Sequence, residues 1–391
     1  MDIGDFRKFS EQNFSLSSSI TQISEHRKRP QIPLATVLNC ILEMVALGQR
    51  SLLEVDQHAR SPAAKAWHGV KRPMVVSDST LERVVGQINL AKVRTVLYKF
   101  VRAVNSQGAL SVRLDCGRII RAGVVDGSHF GGFPGCLFAV AGMVAAPLDI
   151  EMYTKGKELN ASRELLSRIA GTFGKRFVDI VIGDGLYISK DHIIQCKQQL
   201  GCDAMVKTTE KGLSLIQDAE GLFGMAGDLT EGIECIEGLD SERGVRYKVM
   251  AAGGFEWDRM PYKFKVASVQ EEKLKPKPGQ EKYDLFWVIT TDQSLSGLQM
   301  RELAHMRWQI ENNVFKRLNE LVGSKRGWIR NGQLKAALLV LWLIGLLLFG
   351  YYLICVGLAK LRQMYGAVKQ TWKFAARVLL GSIETMYLAK G

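Results

Sequence analysis

The spacing of apolar residues divides the chain into a helical beginning and a strand-rich middle. Residues 33–60 and 77–105 carry apolar side chains at helical spacing. In the second stretch, Ser79 followed by Glu82 has the spacing of a capping box, which predicts a helix start there. From Arg118 the pattern changes to short β-branched runs, which predict strands over 119–125, 137–144 and 147–153.

The later part of the chain alternates between predicted helices and strands. Helices are predicted over 160–170, 189–200 and 296–321, and strands over 177–182, 203–208 and 285–291. Hairpins followed by alternating helices and strands favour an α/β fold, with a mixed sheet flanked by helices. A helical N-terminal domain precedes this sheet in the predicted order.

The segment 212–284 differs from its surroundings and is predicted to be a β-rich insertion. It is rich in glycine, and residues 212–242 hold eight acidic residues without any Lys or Arg. The predicted domains are therefore a helical N-terminal domain (1–112), the first part of a catalytic core (113–211), the insertion (212–284), the second part of the core (285–362) and a basic C-terminal tail (363–391).

One apolar run is long enough to cross a bilayer. Residues 336–359 contain no charged side chain. The alternative is a helix buried in a large core and apolar on every face. Because no other segment has membrane character and the polar N-terminus is no secretory signal, we expect no membrane association.

Composition and cysteine usage narrow the class of protein. With 47% hydrophobic and 23% charged residues, the chain is neither disordered nor a coiled-coil rod. The seven cysteines show no C-x-x-C spacing, and their odd number argues against a complete disulfide framework. A reducing, cytoplasmic location is therefore predicted.

The charge is strongly basic and unevenly distributed. The net charge is +13, from 52 basic and 39 acidic residues. Residues 1–110 hold 15 basic and 9 acidic residues, including the cluster 26–29, and residues 321–391 hold 10 basic and one acidic. The middle of the chain is near neutral, so the two flanks are predicted to contact a polyanion such as DNA.

Three carboxylates stand at positions suited to metal chemistry. Asp126 and Asp184 are each predicted to end an apolar strand and each precedes a glycine, while Glu311 lies in a predicted helix four residues after Arg307. Hard oxygen ligands of this kind can hold two Mg²⁺ ions for phosphodiester chemistry. The alternatives are a turn at each Asp-Gly and a surface ion pair between Arg307 and Glu311.

At these residues the chain resembles the bacterial insertion-sequence DDE transposases, over residues 118–350. The resemblance is carried by RIIRAGVVDGSH, PLDIEMYTKGKELNASRELL, DIVIGDGLY and LFWVITTDQSLSGLQMRELAHMRWQIENNVFKRL. The 127 residues that separate Asp184 from Glu311 resemble the subgroup with a β-rich insertion before its Glu. An RNase H-like sheet is the fold that this resemblance implies.

The resemblance also implies roles for individual residues. Asp126, Asp184 and Glu311 would be the catalytic metal ligands for two Mg²⁺ ions, with Mn²⁺ as a substitute. Arg307 matches the Arg of the subgroup's Tyr-Arg-Glu-Lys signature, but Ala304 stands at its Tyr position and Leu318 at its Lys position. Basic side chains near these positions are further candidates for DNA contact: Lys155, Lys157, Lys316, Arg317, Lys325, Arg326 and Arg330. Ordinary solvated surface is the alternative for each.

The function that the resemblance implies is DNA transposition. The expected reaction is Mg²⁺-dependent cleavage at terminal inverted repeats followed by strand transfer into target DNA. The expected partners are double-stranded DNA and a second copy of the chain in a synaptic complex, in the nucleoid-associated cytoplasm. Two alternatives are a metal-dependent nuclease without strand transfer and a catalytically inactive, domesticated DNA-binding derivative. Tyr187 and Trp308 would stack on bases or, alternatively, pack in the core.

Overall fold

The computed structural model describes residues 1–25, 27–61, 76–115, 117–225, 232–327, 329–366 and 371–388. His26 of the basic cluster therefore lies outside the described residues, as do parts of the insertion and of the C-terminal tail. The chain divides into two compact units. The first unit contains residues 1–110, 127–161 and 311–391, and the second contains residues 111–126 and 162–310.

Helices account for most of the first unit and for four segments of the second. The described helices, numbered in chain order, are α1 (Ile3–Phe14), α2 (Leu16–Ile20), α3 (Leu34–Leu47), α4 (Leu52–Ala59), α5 (Asp78–Val85), α6 (Leu90–Ser106), α7 (Glu158–Phe173), α8 (Lys190–Gln195), α9 (Ser214–Gly224), α10 (Gly297–Ile310), α11 (Lys316–Val322), α12 (Gly332–Tyr352), α13 (Leu358–Tyr365) and α14 (Trp372–Leu388). Three π-helical segments cover Cys196–Leu200, Glu311–Phe315 and Leu353–Gly357, and a 3₁₀ turn covers Gly185–Tyr187.

The strands are β1 (Val112–Arg113), β2 (Ile119–Ile120), β3 (Ala122–Phe130), β4 (Phe133–Val140), β5 (Ala146–Met152), β6 (Ile180–Asp184), β7 (Asp203–Thr208), β8 (Glu234–Asp240), β9 (Val245–Phe255), β10 (Phe264–Lys273) and β11 (Tyr283–Thr290). Strand β3 contributes residues 122–126 to the second unit and residues 127–130 to the first. Strands β4 and β5 form an antiparallel pair in the first unit.

The core of the first unit is built around helix α12. All but three of its residues are buried, because it is apolar on every face and helices α3, α5 and α6 and strand β5 contact it from several sides. At Gly345 an added Cβ would lie 2.8 Å from Val45 Cγ2 and 3.0 Å from the carbonyl oxygen of Leu42. The absence of a side chain there lets α12 approach α3 closely.

Helix α12 also begins the one described helical stretch that is long and apolar enough to cross a membrane. The stretch Gly332–Tyr365 has a maximal mean hydropathy of 2.5, and 83% of that window is buried inside the protein. Burial of this kind is what the alternative of a core helix predicts.

A large mixed sheet forms the second unit. Its strand order is β3-β6-β7-β11-β10-β9-β8, in which β3, β6 and β7 are parallel and the remaining pairs are antiparallel. Strands β6, β7 and β11 are apolar runs with little alternation, as expected for strands that are covered on both faces. The predicted α/β class with a mixed sheet flanked by helices is therefore confirmed.

Helices α9 and α10 cover opposite faces of this sheet. Neighbouring residues of a strand point to opposite faces, so Phe286 and Trp287 of β11 identify the two sides. Phe286 contacts His305 of α10, whereas Trp287 stacks on Phe223 of α9. Helix α10 crosses the sheet and contacts every strand from β6 to β11.

Several predicted element boundaries differ from the observed ones. The helices predicted over 33–60 and 77–105 are each two helices, and the first breaks at Gly48, which has a φ of +65°. The predicted capping box is wrong, since Ser77 rather than Ser79 accepts the cap hydrogen bond, from the Thr80 N–H. The segment 212–284 contains the strands β8, β9 and β10, but it begins with the unpredicted helix α9.

Candidate functional site

The two candidate aspartates lie at the same level of neighbouring parallel strands. Val124 of β3 pairs with Ile182 of β6 in the last printed step of this parallel register, and Asp126 and Asp184 each follow two residues later on their strands. Parallel strands lie about 4.8 Å apart, and residues in register point to the same face. The second unit therefore carries both aspartates at the same end of two neighbouring parallel strands.

The prediction that both aspartates end a strand is only half right. Strand β6 ends on Asp184, but β3 continues beyond Asp126 to Phe130. Residues 127–130 lead into the Gly131–Gly132 turn, where both glycines have positive φ, and so into β4. The polar residues Ser128 and His129 obscured this continuation in the sequence.

The carboxylate of Asp184 is fixed by the turn that follows it. Its Oδ1 accepts a hydrogen bond of 3.0 Å from the Leu186 N–H and caps the 3₁₀ turn Gly185–Tyr187. The ring of Tyr187 is buried and occupies the space where a side chain on Gly183 would be. Tyr187 therefore packs in the core, which was the alternative to base stacking.

Helix α10 supplies a cation to this pair of acids. Arg307 Nη1 donates to Asp126 Oδ2 at 3.2 Å, and the two side chains are 15% and 11% exposed. The pair is internal to the second unit and joins α10 to β3. The alternative raised by the sequence, an ion pair between Arg307 and Glu311, stays a prediction, and the structure adds the pair of Arg307 with Asp126.

Lys207 is a residue of this site that the sequence did not single out. It pairs in register with Asp184 on the next parallel strand, so its side chain shares the face that carries the two aspartates. Its Nζ lies 3.7 Å from the centroid of the Phe286 ring and 5.2 Å from that of Trp308. The only signal was a lysine directly after the apolar residues 204–206 of β7.

Trp308 places an exposed aromatic ring beside these charges. The residue is 46% exposed, and it follows Arg307 directly on α10. A half-exposed indole beside the Lys207 ammonium is a surface on which an unpaired base could stack.

A buried ion cluster anchors α10 to the strands of the insertion. Arg301 donates to Glu271 of β10 at 2.6 Å and to Asp240 of β8 at 3.1 Å, and the His305 ring hydrogen-bonds to Glu271 at 2.8 Å. Burial works to raise the pKa of Glu271, but the bonds from His305 and Arg301 outweigh it and lower that pKa. The helix that carries Arg307 is thus held at a second point along its length.

The third candidate acid, Glu311, belongs to the first unit. It is half-buried and opens the π-helical segment Glu311–Phe315 directly after α10. Val314 and Phe315 of this segment are buried, and Phe315 makes an edge contact of 5.8 Å with the Phe130 ring. Segments of π-helix are often found at functional sites.

The carboxylate oxygens of the candidate acids are suitable ligands for a hard cation, although the described residues form no complete metal centre. The carboxylates of Asp126 on β3 and Asp184 on β6 offer the oxygen ligands that Mg²⁺ prefers. Among the residues that the structure describes, no three His, Cys, Asp or Glu side chains converge into a group that could hold a metal ion. Asp126 and Asp184 are therefore candidate ligands by the chemistry of their side chains.

Most of the predicted DNA-contacting residues are exposed on the first unit. Lys155, Lys157, Lys316, Lys325, Arg326 and Arg330 are all exposed to solvent. Arg317 differs, because its guanidinium lies 3.8 Å from the centroid of the Trp372 ring and burial lowers its pKa to about 10. Stacking on Trp372 gives Arg317 a packing role within the unit.

A fourth acid, Glu158, lies against the residue that follows Asp126 in the chain. An added Cβ on Gly127 would overlap the Glu158 carboxylate, and the Tyr153 hydroxyl donates to Glu158 Oε2 at 2.7 Å. Within the first unit, the glycine after Asp126 thus lets a held carboxylate approach the backbone.

No known protein family matches this chain, and no curated protein is similar to it. The fold class therefore rests on the coordinates, and the function rests on the chemistry of the residues.

Proposed function

We propose that this chain is an RNase H-like DNA transposase that cleaves the ends of a mobile element and joins them to target DNA. The observation that supports the proposal is the parallel register of β3 and β6, whose last pair, Val124 with Ile182, stands two residues before Asp126 and Asp184 on neighbouring strands of a mixed sheet. Paired carboxylates on neighbouring strands are what metal-dependent phosphodiester chemistry requires. The assignment of Glu311 as the third acid rests on its place in the sequence.

The residues of the second unit have distinct tasks in this proposal. Asp126 and Asp184 would hold Mg²⁺, which when bound activates an attacking oxygen and stabilises the leaving oxygen. Arg307 neutralises Asp126 and orients its carboxylate. Lys207 adds a positive charge on the same face, where it attracts a phosphate, and Trp308 offers its exposed ring to a base.

The exposed lysines and arginines of the first unit would bind the DNA backbone. Two copies, each on one end of the element, would form the synaptic complex in the cytoplasm, as the family resemblance implies. Binding of this kind depends steeply on salt, because each phosphate contact releases counterions.

The test is an assay with purified protein, Mg²⁺ and duplex DNA that ends in the inverted repeats flanking the coding region. Wild type should cleave the ends and join them to a target plasmid, and Asp126→Asn and Asp184→Asn should do neither. The matched control is Asp191→Asn, since Asp191 is an exposed acid of the same unit with a 70% exposed side chain. Equal products from wild type and Asp126→Asn would refute the assigned site, and cleavage without joining would indicate a nuclease.

One observation favours a second candidate, a DNA-binding derivative without catalytic activity. Asp126 is engaged by Arg307, which occupies one of the oxygens that a metal ion would need. In that case wild type would bind the repeats with the same affinity whether or not Mg²⁺ is present, and would release no product.

A further inference from the structure

Two adjoining cavities flank helix α5 in the first unit. One, of about 500 Å³, lies between α5 and the loop 27–32. The other, of about 370 Å³, lies between α5 and the residues 331–334 at the start of α12. The cavities share Arg83 and Gln87, so together they form one surface, here called the α5 groove.

The side chains of the α5 groove are equipped to donate hydrogen bonds. Lys28, Gln31, Arg83 and Gln87 line it and are all exposed. Among the described residues, none of these four side chains has a hydrogen-bond or ion-pair partner. Elsewhere in the unit, exposed basic side chains such as Arg60 do pair, in that case with Asp56. The α5 groove therefore presents two cations and two amides that can bind a ligand.

The walls of the α5 groove are rigid. Helix α5 is capped by Ser77 and buries Leu81, Val84 and Val85 against the unit, which turns Arg83 and Gln87 outward. The loop is fixed by Arg27, which pairs with Glu25 and donates to the Ile32 carbonyl at 3.0 Å. The side chain of Asn331 accepts hydrogen bonds from the first turn of α12 and fixes the third wall. A ligand would therefore meet side chains whose backbone is already held in position.

The combination of groups matches the edges of base pairs better than it matches phosphate alone. Arg side chains form paired hydrogen bonds with guanine, and Gln side chains do so with adenine. Glu82 of the same cavity can accept from the cytosine amino group, which a surface that binds only phosphate would avoid. Lys28 at the rim is placed for a phosphate contact.

We propose that the α5 groove reads the base sequence of duplex DNA, with Arg83 and Gln87 contacting base edges and Lys28 contacting the backbone. The inference rests on the proposed function, because it gives the transposase its means of recognising the ends of its element. The inference adds to that function a specific DNA-binding surface and a separate role for each of its residues.

The experiment measures binding of the full-length protein by fluorescence anisotropy, without divalent cations so that no cleavage occurs. The probes are a duplex that carries the terminal repeat and a scrambled duplex of the same length and composition. The variants are Lys28→Ala, Arg83→Ala and Gln87→Ala. The matched control is Lys92→Ala, since Lys92 is an exposed cation at the start of α6 outside the α5 groove.

Distinct results are expected for the base-reading and the backbone residues. Arg83→Ala and Gln87→Ala should each weaken binding to the repeat by about tenfold and leave binding to the scrambled duplex within about twofold. Lys28→Ala should weaken both by the same factor and reduce the slope of log affinity against log salt by about one. All three side chains are exposed, so the variants should melt at the temperature of wild type.

The outcomes separate this inference from the proposed function. If Arg83→Ala and Gln87→Ala bind the repeat as Lys92→Ala does, the α5 groove is not the reading surface. That result leaves the transposase proposal standing if wild type still cleaves repeat ends and Asp126→Asn does not. If Arg83→Ala lowers affinity for both duplexes equally, the groove binds phosphate without reading sequence, and the inference is also overturned.

Discussion

Arg307 of helix α10 donates a hydrogen bond of 3.2 Å to Asp126 of strand β3, and both side chains are largely shielded from solvent. When one partner of a shielded ion pair is removed, the other charge is left uncompensated. The free energy of unfolding then falls by more than the intact pair contributes to it. The pair therefore ties α10 to the parallel part of the sheet. A metal ion that binds Asp126 must either share the carboxylate with this guanidinium or displace the guanidinium from it.

Replacement of Arg307 by Leu should lower the free energy of unfolding by about 1–3 kcal/mol, because the Asp126 carboxylate would lose a charged donor. Urea unfolding followed by circular dichroism measures this loss. The control is Arg163→Leu, whose pair with Asp191 is open to solvent and should contribute less than about 1 kcal/mol. Equal losses in the two variants would show that the Arg307–Asp126 pair is no more than a surface contact.

The cluster around Arg301 should make the second unit sensitive to acid. Burial works to raise the pKa of Asp240, but bonds from Arg243 and Arg301 lower it to about 2, and the pKa of Glu271 is also lowered. Groups with lowered pKa values stabilise the fold above their unfolded pKa and lose that effect as the pH falls through the folded one. Stability should therefore decline from about pH 4.5 to about pH 2.

The measurement for this cluster is the melting temperature across that acid range. Asp240→Asn should be less stable than wild type at pH 7, and the difference should shrink toward pH 2 because wild type loses its advantage. Glu237→Gln serves as control, since Glu237 pairs with Lys248 on the exposed side of the same strands. A constant difference between Asp240→Asn and wild type over the whole range would contradict the prediction.

Lys335 in helix α12 should give the first unit a stability that rises with pH. The residue is fully buried, its Nζ donates to the Ser324 carbonyl at 2.8 Å, and burial lowers its pKa to about 8 from a usual value of 10.5. Between these two pH values the unfolded chain binds more protons than the folded one, so the contribution of Lys335 to stability increases with pH.

Comparison of wild type with Lys335→Met isolates this effect. Met fills a similar volume without a charge, so the wild type should gain stability relative to the variant as pH rises from 8 to about 10. The buried Cys40 thiol, whose pKa is raised to about 12, acts in the opposite direction but is present in both proteins. A difference that does not change with pH would exclude a buried, titrating Lys335.

Gly131→Ala should destabilise the first unit by about 1–3 kcal/mol more than Gly108→Ala. Both glycines have positive φ, at +63° and +70°, so both variants carry the same backbone strain. At Gly131 the new Cβ would also overlap the backbone carbonyl of Arg326, whereas at Gly108 it meets open space. If chemical denaturation shows the same loss of unfolding free energy in both variants, the backbone at residue 326 moves aside without a loss of stability.

Strands with a continuous apolar pattern were predictable from the sequence. Strand β7 occupies residues 203–208 as predicted, and β6 and β11 lie within a few residues of their predicted positions. Their β-branched runs are bounded by glycines or polar turns, so local pattern and burial agree. The prediction ended strand β3 too early. The second half of this strand, which leads into β4, is polar and therefore lacks the apolar pattern that marks a strand.

The candidate site was predictable only in part, because register is a long-range property. Asp126 and Asp184 stood out through the glycines that follow them. Lys207 could not stand out, since a single lysine in a strand acquires meaning only when β7 pairs with β6. The stacking of Arg317 on Trp372 likewise joins positions 55 residues apart, which no local pattern reveals.

The burial of helix α12 has a consequence for how the protein is made. Helices α3, α5 and α6 emerge from the ribosome first, but the helix that covers their apolar faces begins only at Gly332. At about 5–20 residues per second, this interval lasts on the order of tens of seconds. Throughout it the N-terminal helices lack their main packing partner. A nascent chain that ends before Leu334 also lacks one wall of the α5 groove, so sequence recognition would await synthesis of the C-terminal part.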